Sequence, residues 1–338
     1  MRPRLATLLV WSATVAVSCG GDGTASAPSD ASTTDTSVVD VGASDSIEAA
    51  TTEAGTDAIS DAITDTIVDA AATTETGDVD AGTLLFNGDF EPGDLSQWPG
   101  VEGCAKDRIT VYDSATAPTG APKPYQGNYA AHYHVLDTDV APCTSTDNPR
   151  AQLSTALTLL KPGDDVWERW AIYVPSTFPA MVCPSGVTCK NGVWLLFQED
   201  YGPPWDGAPS IGWDILNLGG VDSFAIARGQ YGSDNPWHMP LIKSRWIEFL
   251  VHKKLANTAT GGGSVEAFVD GSAVTFKTSD PASCVSGCTQ LAMQTMHPTM
   301  SGVAFFMNTY RAVGFAPLVD LYFDVGRIGT TRASVEGP

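Results

Sequence analysis

From Leu84 onward the chain runs in short stretches of alternating apolar and polar residues, separated by Gly, Pro, Asn and Asp. A side-chain period of two is typical of β-strands with one buried face. At least nine stretches fit this pattern, among them "NYAAHYHVL", "VWERWAIYV", "GVWLLFQ", "IGWDILNL" and "LVDLYFDVGRIG". Asp270-Gly271 lies between two such stretches and predicts a tight hairpin turn. With no long helical periodicity, the sequence predicts an all-β fold, a two-sheet antiparallel sandwich or jelly roll.

The first 82 residues have a different character. "MRPRLATLLVWSATVAVSCGG" has two arginines, an apolar run too short to span a membrane stably, and small residues before Cys19. Its end resembles the lipobox of bacterial lipoproteins, so we expect residues 1–19 to be a signal sequence and Cys19 to carry lipid. An ordinary signal peptide with an unmodified cysteine is the alternative. We expect an exported protein, lipid-anchored at the outer membrane or cell surface.

Residues 20–82 consist mainly of Asp, Thr, Ser, Ala and Gly, and they contain no aromatic or basic residue. Such a segment buries too little apolar surface to offset its chain entropy, so we expect a disordered acidic linker. The linker holds 14 of the 39 acidic residues, which leaves residues 83–338 with 25 acidic and 16 basic residues and a net charge of −9. An acidic domain without basic clusters argues against nucleic acid as a partner.

Six cysteines follow the linker, and an even number in an exported chain predicts disulfides. The short spacings favour two local loops, Cys183–Cys189 and Cys284–Cys288, which leaves Cys104 with Cys143. Zinc is the alternative, but no histidine lies at ligand spacing beside either close pair. We therefore expect no bound metal as a cofactor, although structural calcium on loop carboxylates such as Asp137 and Asp139 stays open.

Two predicted strands place pairs of polar side chains on one face. In "AAHYHV", His132 and His134 point the same way because the side-chain period is two. They could bind a metal, remove a proton or line a polar groove. In "RAQL", Arg150 and Gln152 likewise share a face, and they offer a planar fork for a carboxylate and an amide donor.

Two further stretches end in polar groups that could reach a ligand. Gln198 ends an apolar strand, and the loop after it brings Tyr201 and Trp205, whose rings could stack on sugars. In "AFFMNTYRAVG", Asn308 and Tyr310 share one face of the predicted strand, whereas Arg311 would point the opposite way.

The order of these motifs resembles a known family over nearly all of residues 85–330. "NGDFEPGDLSQW", "GNYAAHYHV", "RAQL", "ERWAIYVPSTFP", "GVWLLFQ", "RWIEFLVHKKLA" and "FFMNTYRA" follow one another as in polysaccharide lyases of the heparin lyase I-like and glucuronan lyase group, which are relatives of the alginate lyases. The resemblance implies a concanavalin-like β-jelly roll, a polysaccharide partner and cleavage of uronic-acid polymers by β-elimination.

The resemblance also implies roles for individual residues. Tyr310 would be the catalytic acid, His132 or His134 the base, and Gln198 and Arg150 the groups that neutralise the uronate carboxylate. The residues expected to bind substrate are Asn308, Gln152, Trp205, Tyr201, Arg228 and Lys253. The sequence departs from the family at three motifs. Arg-x-Glu reads Arg-Ala-Gln, Gln-x-His reads Gln-Glu-Asp, and the Lys and Gly that precede the final Tyr in the family are Phe306 and Asn308 here.

A non-catalytic, lectin-like carbohydrate-binding lipoprotein is the alternative function. It would use Trp205, Trp213 and Tyr201 as stacking platforms on the same sandwich face. The two functions differ in geometry, because the lyase needs an imidazole and the Tyr310 hydroxyl to reach one sugar, whereas the binding protein needs only aromatic rings along a face. For either function we expect a monomer.

Overall fold

The computed structural model describes residues 81–103, 106–140, 148–189, 192–202, 209–227, 235–258, 262–279 and 284–337. Several predictions fall outside these ranges: the signal sequence, Cys19, the linker to residue 80, the Cys104–Cys143 pair, Trp205 and Arg228. Within the described ranges the α-helix is limited to one short segment, α1 (Arg332–Glu336), and no helix has the length and apolar character needed to cross a bilayer.

The described residues form sixteen strands. In chain order they are β1 (Leu84–Gly88), β2 (Gly100–Gly103), β3 (Ile109–Tyr112), β4 (Ala130–Leu136), β5 (Arg150–Ser154), β6 (Asp165–Tyr173), β7 (Trp194–Tyr201), β8 (Ile211–Leu218), β9 (Val221–Ala227), β10 (Trp237–Pro240), β11 (Trp246–Lys254), β12 (Ser264–Val269), β13 (Ser272–Ala273), β14 (Gln290–Ala292), β15 (Ala304–Arg311) and β16 (Leu318–Gly329). A 3-10 turn at Lys106–Arg108 precedes β3.

The strands form two antiparallel sheets, which confirms the predicted all-β sandwich. The nine-stranded sheet has the order β13-β12-β11-β6-β16-β4-β3, with β1 also paired to β16 and β14 to β12. The seven-stranded sheet has the order β10-β9-β8-β7-β15-β5-β2. Strands adjacent in a sheet are often distant in the sequence, as when β15 pairs with β5 and β7. This crossing connectivity is consistent with a jelly roll.

Aromatic side chains from both sheets fill the space between them. Trp170 lies near the centre and stacks on Phe249 at 5.5 Å, while Trp213 meets it edge-on, also at 5.5 Å. Rings of this size dominate the energetics of a core, and offset or edge-on contacts are their preferred arrangements. Trp213 is fully buried here, so its predicted use as a sugar-stacking platform is wrong.

The predicted hairpin and both predicted local disulfides are present. Asp270 and Gly271 have φ values of 48° and 76°, the left-handed conformation that two-residue hairpin turns require, and they join β12 to β13. Cys183 is bonded to Cys189, and Cys284 to Cys288. Each disulfide closes a short loop.

A buried ion group joins the two sheets. The Lys253 Nζ of β11 donates to Glu168 Oε2 of β6 and to Asp200 Oδ2 of β7, at 2.6 Å each. All three side chains are fully buried, so the expectation that Lys253 binds substrate is wrong. Burial and the charge of Asp200 raise the pKa of Glu168 to about 8, while the two carboxylates outweigh the effect of burial and raise the pKa of Lys253. The lysine therefore stays charged and compensates the acids inside the sandwich.

Candidate functional site on the outer face of the seven-stranded sheet

Polar side chains of four neighbouring strands gather on the face of the seven-stranded sheet that points away from the core. On β5, for example, Ala151 and Leu153 belong to the core, which leaves Arg150 and Gln152 on the outer face. We call this group the outer-face cluster; its members are Arg150, Gln152, Glu199, Asp214, Asn308 and Tyr310. The cluster brings together the predicted residues Arg150, Gln152, Asn308 and Tyr310.

A β-bulge decides which residue of "QED" joins this cluster. The pairing of β7 with β8 shifts at Phe197, between Leu196 and Gln198. Phe197 itself faces the core. An extra residue in one strand reverses the alternation beyond it. Gln198 therefore turns inward and donates to Asp200 Oδ1 at 3.1 Å, whereas Glu199 turns outward. The prediction that Gln198 faces the substrate is wrong, because the bulge puts Glu199 in that place.

Glu199 is held at the centre of the cluster by two amides. Its Oε1 accepts a hydrogen bond from Gln152 Nε2 at 3.1 Å and another from Asn308 Nδ2 at 2.9 Å. Gln152 also donates to Asn308 Oδ1 at 3.0 Å, so the three side chains form a closed ring of hydrogen bonds. Because both amides bond to Oε1, Oε2 is the atom that can take up or release a proton.

The two carboxyl groups of the cluster have raised pKa values. Burial raises the pKa of Glu199 to about 7, although the Asn308 hydrogen bond and the charge of Arg150 oppose the rise. Asp214 lies on β8 next to β7, and burial together with the charge of Glu199 raises the pKa of Asp214 well above its usual range. Glu199 therefore exchanges its proton near neutral pH, and Asp214 can donate one in a hydrogen bond.

Tyr310 and Arg150 form the more exposed side of the cluster. The Arg150 guanidinium lies 4.4 Å from the centroid of the Tyr310 ring, and the Trp194 ring contacts the same ring edge-on at 4.9 Å. Arg150 also donates to Gln152 Oε1 at 3.1 Å and pairs with Glu102 at 3.5 Å. These contacts hold the positive charge of Arg150 beside Tyr310 and next to the hydrogen-bonded ring of Gln152, Asn308 and Glu199.

A cavity of about 380 Å³ adjoins the cluster at the β2 edge of the sheet. Gln152 and Glu102 contribute to its wall on one side, and Phe306 with Leu157 contributes apolar surface. Tyr201 packs against Phe306 with ring centroids 6.2 Å apart, so this predicted residue lies near the cavity and not over the core. The cavity gives a ligand room beside the hydrogen-bonded ring.

The two predicted catalytic histidines lie on the other sheet. His132 and His134 belong to β4, where Tyr133 between them points into the core and donates to the Met307 carbonyl of β15 at 3.1 Å. The imidazoles therefore point away from the seven-stranded sheet, on the opposite outer face of the sandwich. The prediction that one of them acts as base with Tyr310 is wrong. The two-residue period predicts which side chains of a strand share a face, but it does not predict to which sheet the strand belongs.

The remaining predicted polar residues serve the scaffold. Arg311 is fully buried, donates to the Ala316 carbonyl at 2.8 Å and pairs with Asp137 at 3.3 Å, on the side opposite Tyr310 as the alternation predicts. Asp139 accepts two hydrogen bonds from Arg108, at 2.6 and 3.0 Å. These carboxylates hold arginines in place.

Glu199, Asp214 and Trp194 belong to the site although no role was predicted for them from the sequence. Asp214 lies between Trp213 and Ile215, which are both buried, so its outward direction could have been read from the alternation of "IGWDILNL". Glu199 could not have been found in this way, because strict alternation without the bulge places it inside.

Comparison with known proteins gives structural neighbours only. No protein-family profile matches the chain, and no curated protein sequence matches it. The neighbours include polysaccharide lyases. An endo-β-1,4-glucuronan lyase from the fungus Trichoderma reesei is 14% identical, with 75% of this chain and 98% of that chain covered and a TM-score of 0.47. A PL-14 alginate lyase from Aplysia kurodai is 10% identical, with coverages of 74% and 100% and a TM-score of 0.43.

A third neighbour is named for a different activity. A GH131 β-glucanase catalytic domain from Podospora anserina is 11% identical, with 76% of this chain and 100% of that chain covered and a TM-score of 0.47. Similarity this low does not choose between these activities.

Proposed function

We propose that this protein is a polysaccharide lyase whose outer-face cluster cleaves a uronic-acid polymer by β-elimination. One observation supports the proposal above others: a carboxyl that titrates near neutral pH, a tyrosine hydroxyl and an arginine lie together on one sheet face. β-Elimination needs a proton acceptor, a proton donor and a group that stabilises the charge on the uronate carboxylate.

Each chemical step has a residue to perform it. The Glu199 carboxylate takes the proton from C5, and the electron pair left behind forms the C4–C5 double bond. The bond between C4 and the glycosidic oxygen breaks, and Tyr310 gives its hydroxyl proton to the departing oxygen. Arg150 lies beside the tyrosine ring, where it stabilises the phenolate that forms. Proton exchange with water then restores both groups.

Asp214 and Arg150 would hold the uronate carboxylate. Burial raises the pKa of Asp214, and in its protonated form this carboxyl donates a hydrogen bond to a carboxylate, while a guanidinium adds a charge-assisted one. These two groups stabilise the additional negative charge that the substrate carboxyl carries in the transition state, and this makes C5 deprotonation easier. The acidic balance of the domain does not prevent such binding, because groups in contact with the ligand outweigh distant, screened charges.

The proposal includes the location of the enzyme. The sequence supports export, with lipid on Cys19 and residues 20–82 as a flexible tether between the membrane and the lyase domain. A tether of 63 residues has a root-mean-square reach of roughly 45 Å by random-coil scaling. The enzyme would then act on polymer outside the cell, as a monomer.

Hydrolysis is a second candidate activity, and a specific observation favours it. Glu199 and Asp214 form a pair of carboxyl groups on adjacent strands of one sheet face, and burial raises the pKa of Asp214 well above its usual range, as the general acid of a glycosidase requires. In that case the substrate need not be a uronic-acid polymer. Lyase and hydrolase products differ chemically, so one analysis separates them.

The proposed function is tested by offering the purified protein glucuronan, alginate, heparin and hyaluronan, with a neutral β-glucan for comparison. We expect ultraviolet absorbance from an unsaturated uronate with at least one acidic polymer. Tyr310→Phe should lower the rate by about 10²–10⁴-fold, because it removes the proton donor. Tyr125→Phe is the matched control, since the Tyr125 hydroxyl bonds Glu248 of the nine-stranded sheet.

No absorbance with any polymer, together with retained glycan binding, would contradict lyase activity and favour the carbohydrate-binding alternative. Trp194 and Tyr310 would then form its aromatic platform. A rate that Tyr310→Phe leaves unchanged would contradict the role assigned to this hydroxyl.

A further inference from the structure

Two histidines and an aspartate converge on the outer face of the nine-stranded sheet, on the opposite side of the sandwich from the outer-face cluster. His132 and His134 project from β4, and Asp320 projects from β16 directly opposite His134. Cross-strand partners in an antiparallel pair have neighbouring side chains on one face. The sheet itself therefore sets three potential ligands side by side.

The geometry of the three groups is that of a partly assembled metal site. Asp320 Oδ1 lies 2.8 Å from His132 Nε2 and 2.8 Å from His134 Nδ1. One nitrogen or oxygen atom from each residue lies within 4.8 Å of the other two. Two ligand atoms about 2.1 Å from one ion lie at most about 4.2 Å apart, so both nitrogen–oxygen separations of 2.8 Å are short enough for a shared ion.

The surroundings fix the rings but leave one side open to solvent. His132 stacks on Tyr322 with ring centroids 4.7 Å apart and planes at 17°, which restricts rotation of the imidazole. The His132 side chain is 12% exposed, Asp320 26% and His134 38%. A site whose ligands are held by packing against the sheet and are exposed on the solvent side can hold an ion while leaving coordination positions for water or another ligand.

The ligand types indicate the kind of ion. Imidazole nitrogens suit zinc, copper, nickel and iron, whereas calcium and magnesium prefer oxygen ligands. We propose that His132, His134 and Asp320 form a surface site for one divalent first-row transition metal ion, which links β4 to β16. The proposal is independent of the proposed lyase activity, because the site and the outer-face cluster occupy opposite faces.

The test is calorimetric titration of the full chain with Zn²⁺. We expect saturable binding of one ion, and we expect His132→Gln with His134→Gln to weaken it by about 100-fold or more, since even the partners of metal ligands contribute 10–100-fold. His252→Gln is the matched control, because His252 also bonds two acids, Asp165 and Glu266, on this sheet but has no second imidazole in the group. This control should bind as the wild type does.

Nuclear magnetic resonance of the imidazole protons locates the ion. Zn²⁺ should shift the ring signals of His132 and His134 and leave those of His252 in place. Absence of saturable binding, binding that survives the double substitution, or shifts confined to other histidines would each overturn the proposal. Loss of binding in the control variant alone would place the ion at His252 and overturn it as well.

Discussion

Replacing Lys253 with Met should lower the free energy of unfolding by about 3–5 kcal/mol, which is the usual cost of removing one partner from a buried ion group. Asp200 would then remain within the sandwich without a compensating charge, and Glu168 would lose its hydrogen-bond donor. Methionine has nearly the same length as lysine, so lost packing contributes little. Denaturation in urea at neutral pH, followed by tryptophan fluorescence, measures the change.

Lys254→Met is the matched control for this substitution. Lys254 is the next residue of β11 but faces solvent, so its substitution should change stability by no more than about 0.5 kcal/mol. Adding Glu168→Gln and Asp200→Asn to Lys253→Met should recover part of the lost stability, because it removes the uncompensated charge. Equal stabilities for Lys253→Met and the wild type would contradict the buried ion group.

The second large effect concerns catalysis. Glu199→Gln should lower kcat/KM on the uronic-acid substrate by about 10²–10⁴-fold, because an amide cannot take the C5 proton. The variant should fold, since the glutamine oxygen can still accept the Gln152 and Asn308 hydrogen bonds that end on Oε1. Glu266→Gln changes an acid on the nine-stranded sheet in the same way and should keep the wild-type rate.

The pH dependence of the same reaction identifies the role of Glu199. A base must be deprotonated to act, so the wild-type rate should rise with pH through about 7, where Glu199 loses its proton. Stability should respond in the opposite direction. The folded state holds this proton more tightly than the unfolded chain, whose glutamate has its usual pKa of 4.5, so stability falls as the pH rises from 4.5 to about 7.

Glu199→Gln should remove both dependences, the rise in rate and this part of the fall in stability. Rates at several pH values, together with urea denaturation of the same samples, measure them. A Glu199→Gln variant with the wild-type rate would exclude the carboxyl as the base. A variant that loses activity but keeps the rise in residual rate near pH 7 would assign that titration to another group.

The sequence predicted the fold because the signals for strands are local. The stretch "IGWDILNL" coincides with β8 and "LVDLYFDVGRIG" with β16, since side-chain alternation and turn residues determine where a strand starts and stops. The same alternation also predicts that Lys253 is buried. Lys253 has the same parity as Phe249 and Val251, which are buried, so its inward direction was readable from "FLVHK".

The site was less predictable because it depends on long-range pairing. Nothing local in "AAHYHV" shows that β4 joins β16 in one sheet, whereas "AFFMNTYR" joins the other sheet between β5 and β7. The bulge at Phe197 exchanges the directions of Gln198 and Glu199. It can be recognised only from the pairing of β7 with its neighbouring strands. The sequence thus predicted which side chains of one strand share a face, but it did not predict which strands lie next to each other.

The most direct test of the lyase activity is the mass of the products formed from a single defined oligouronide. Cleavage by β-elimination adds nothing from water, so we predict two fragments whose masses add up to that of the substrate, with the double bond on the new non-reducing end. Fragments that together exceed the substrate by the mass of one water molecule would show hydrolysis by the Glu199–Asp214 pair and contradict the lyase mechanism.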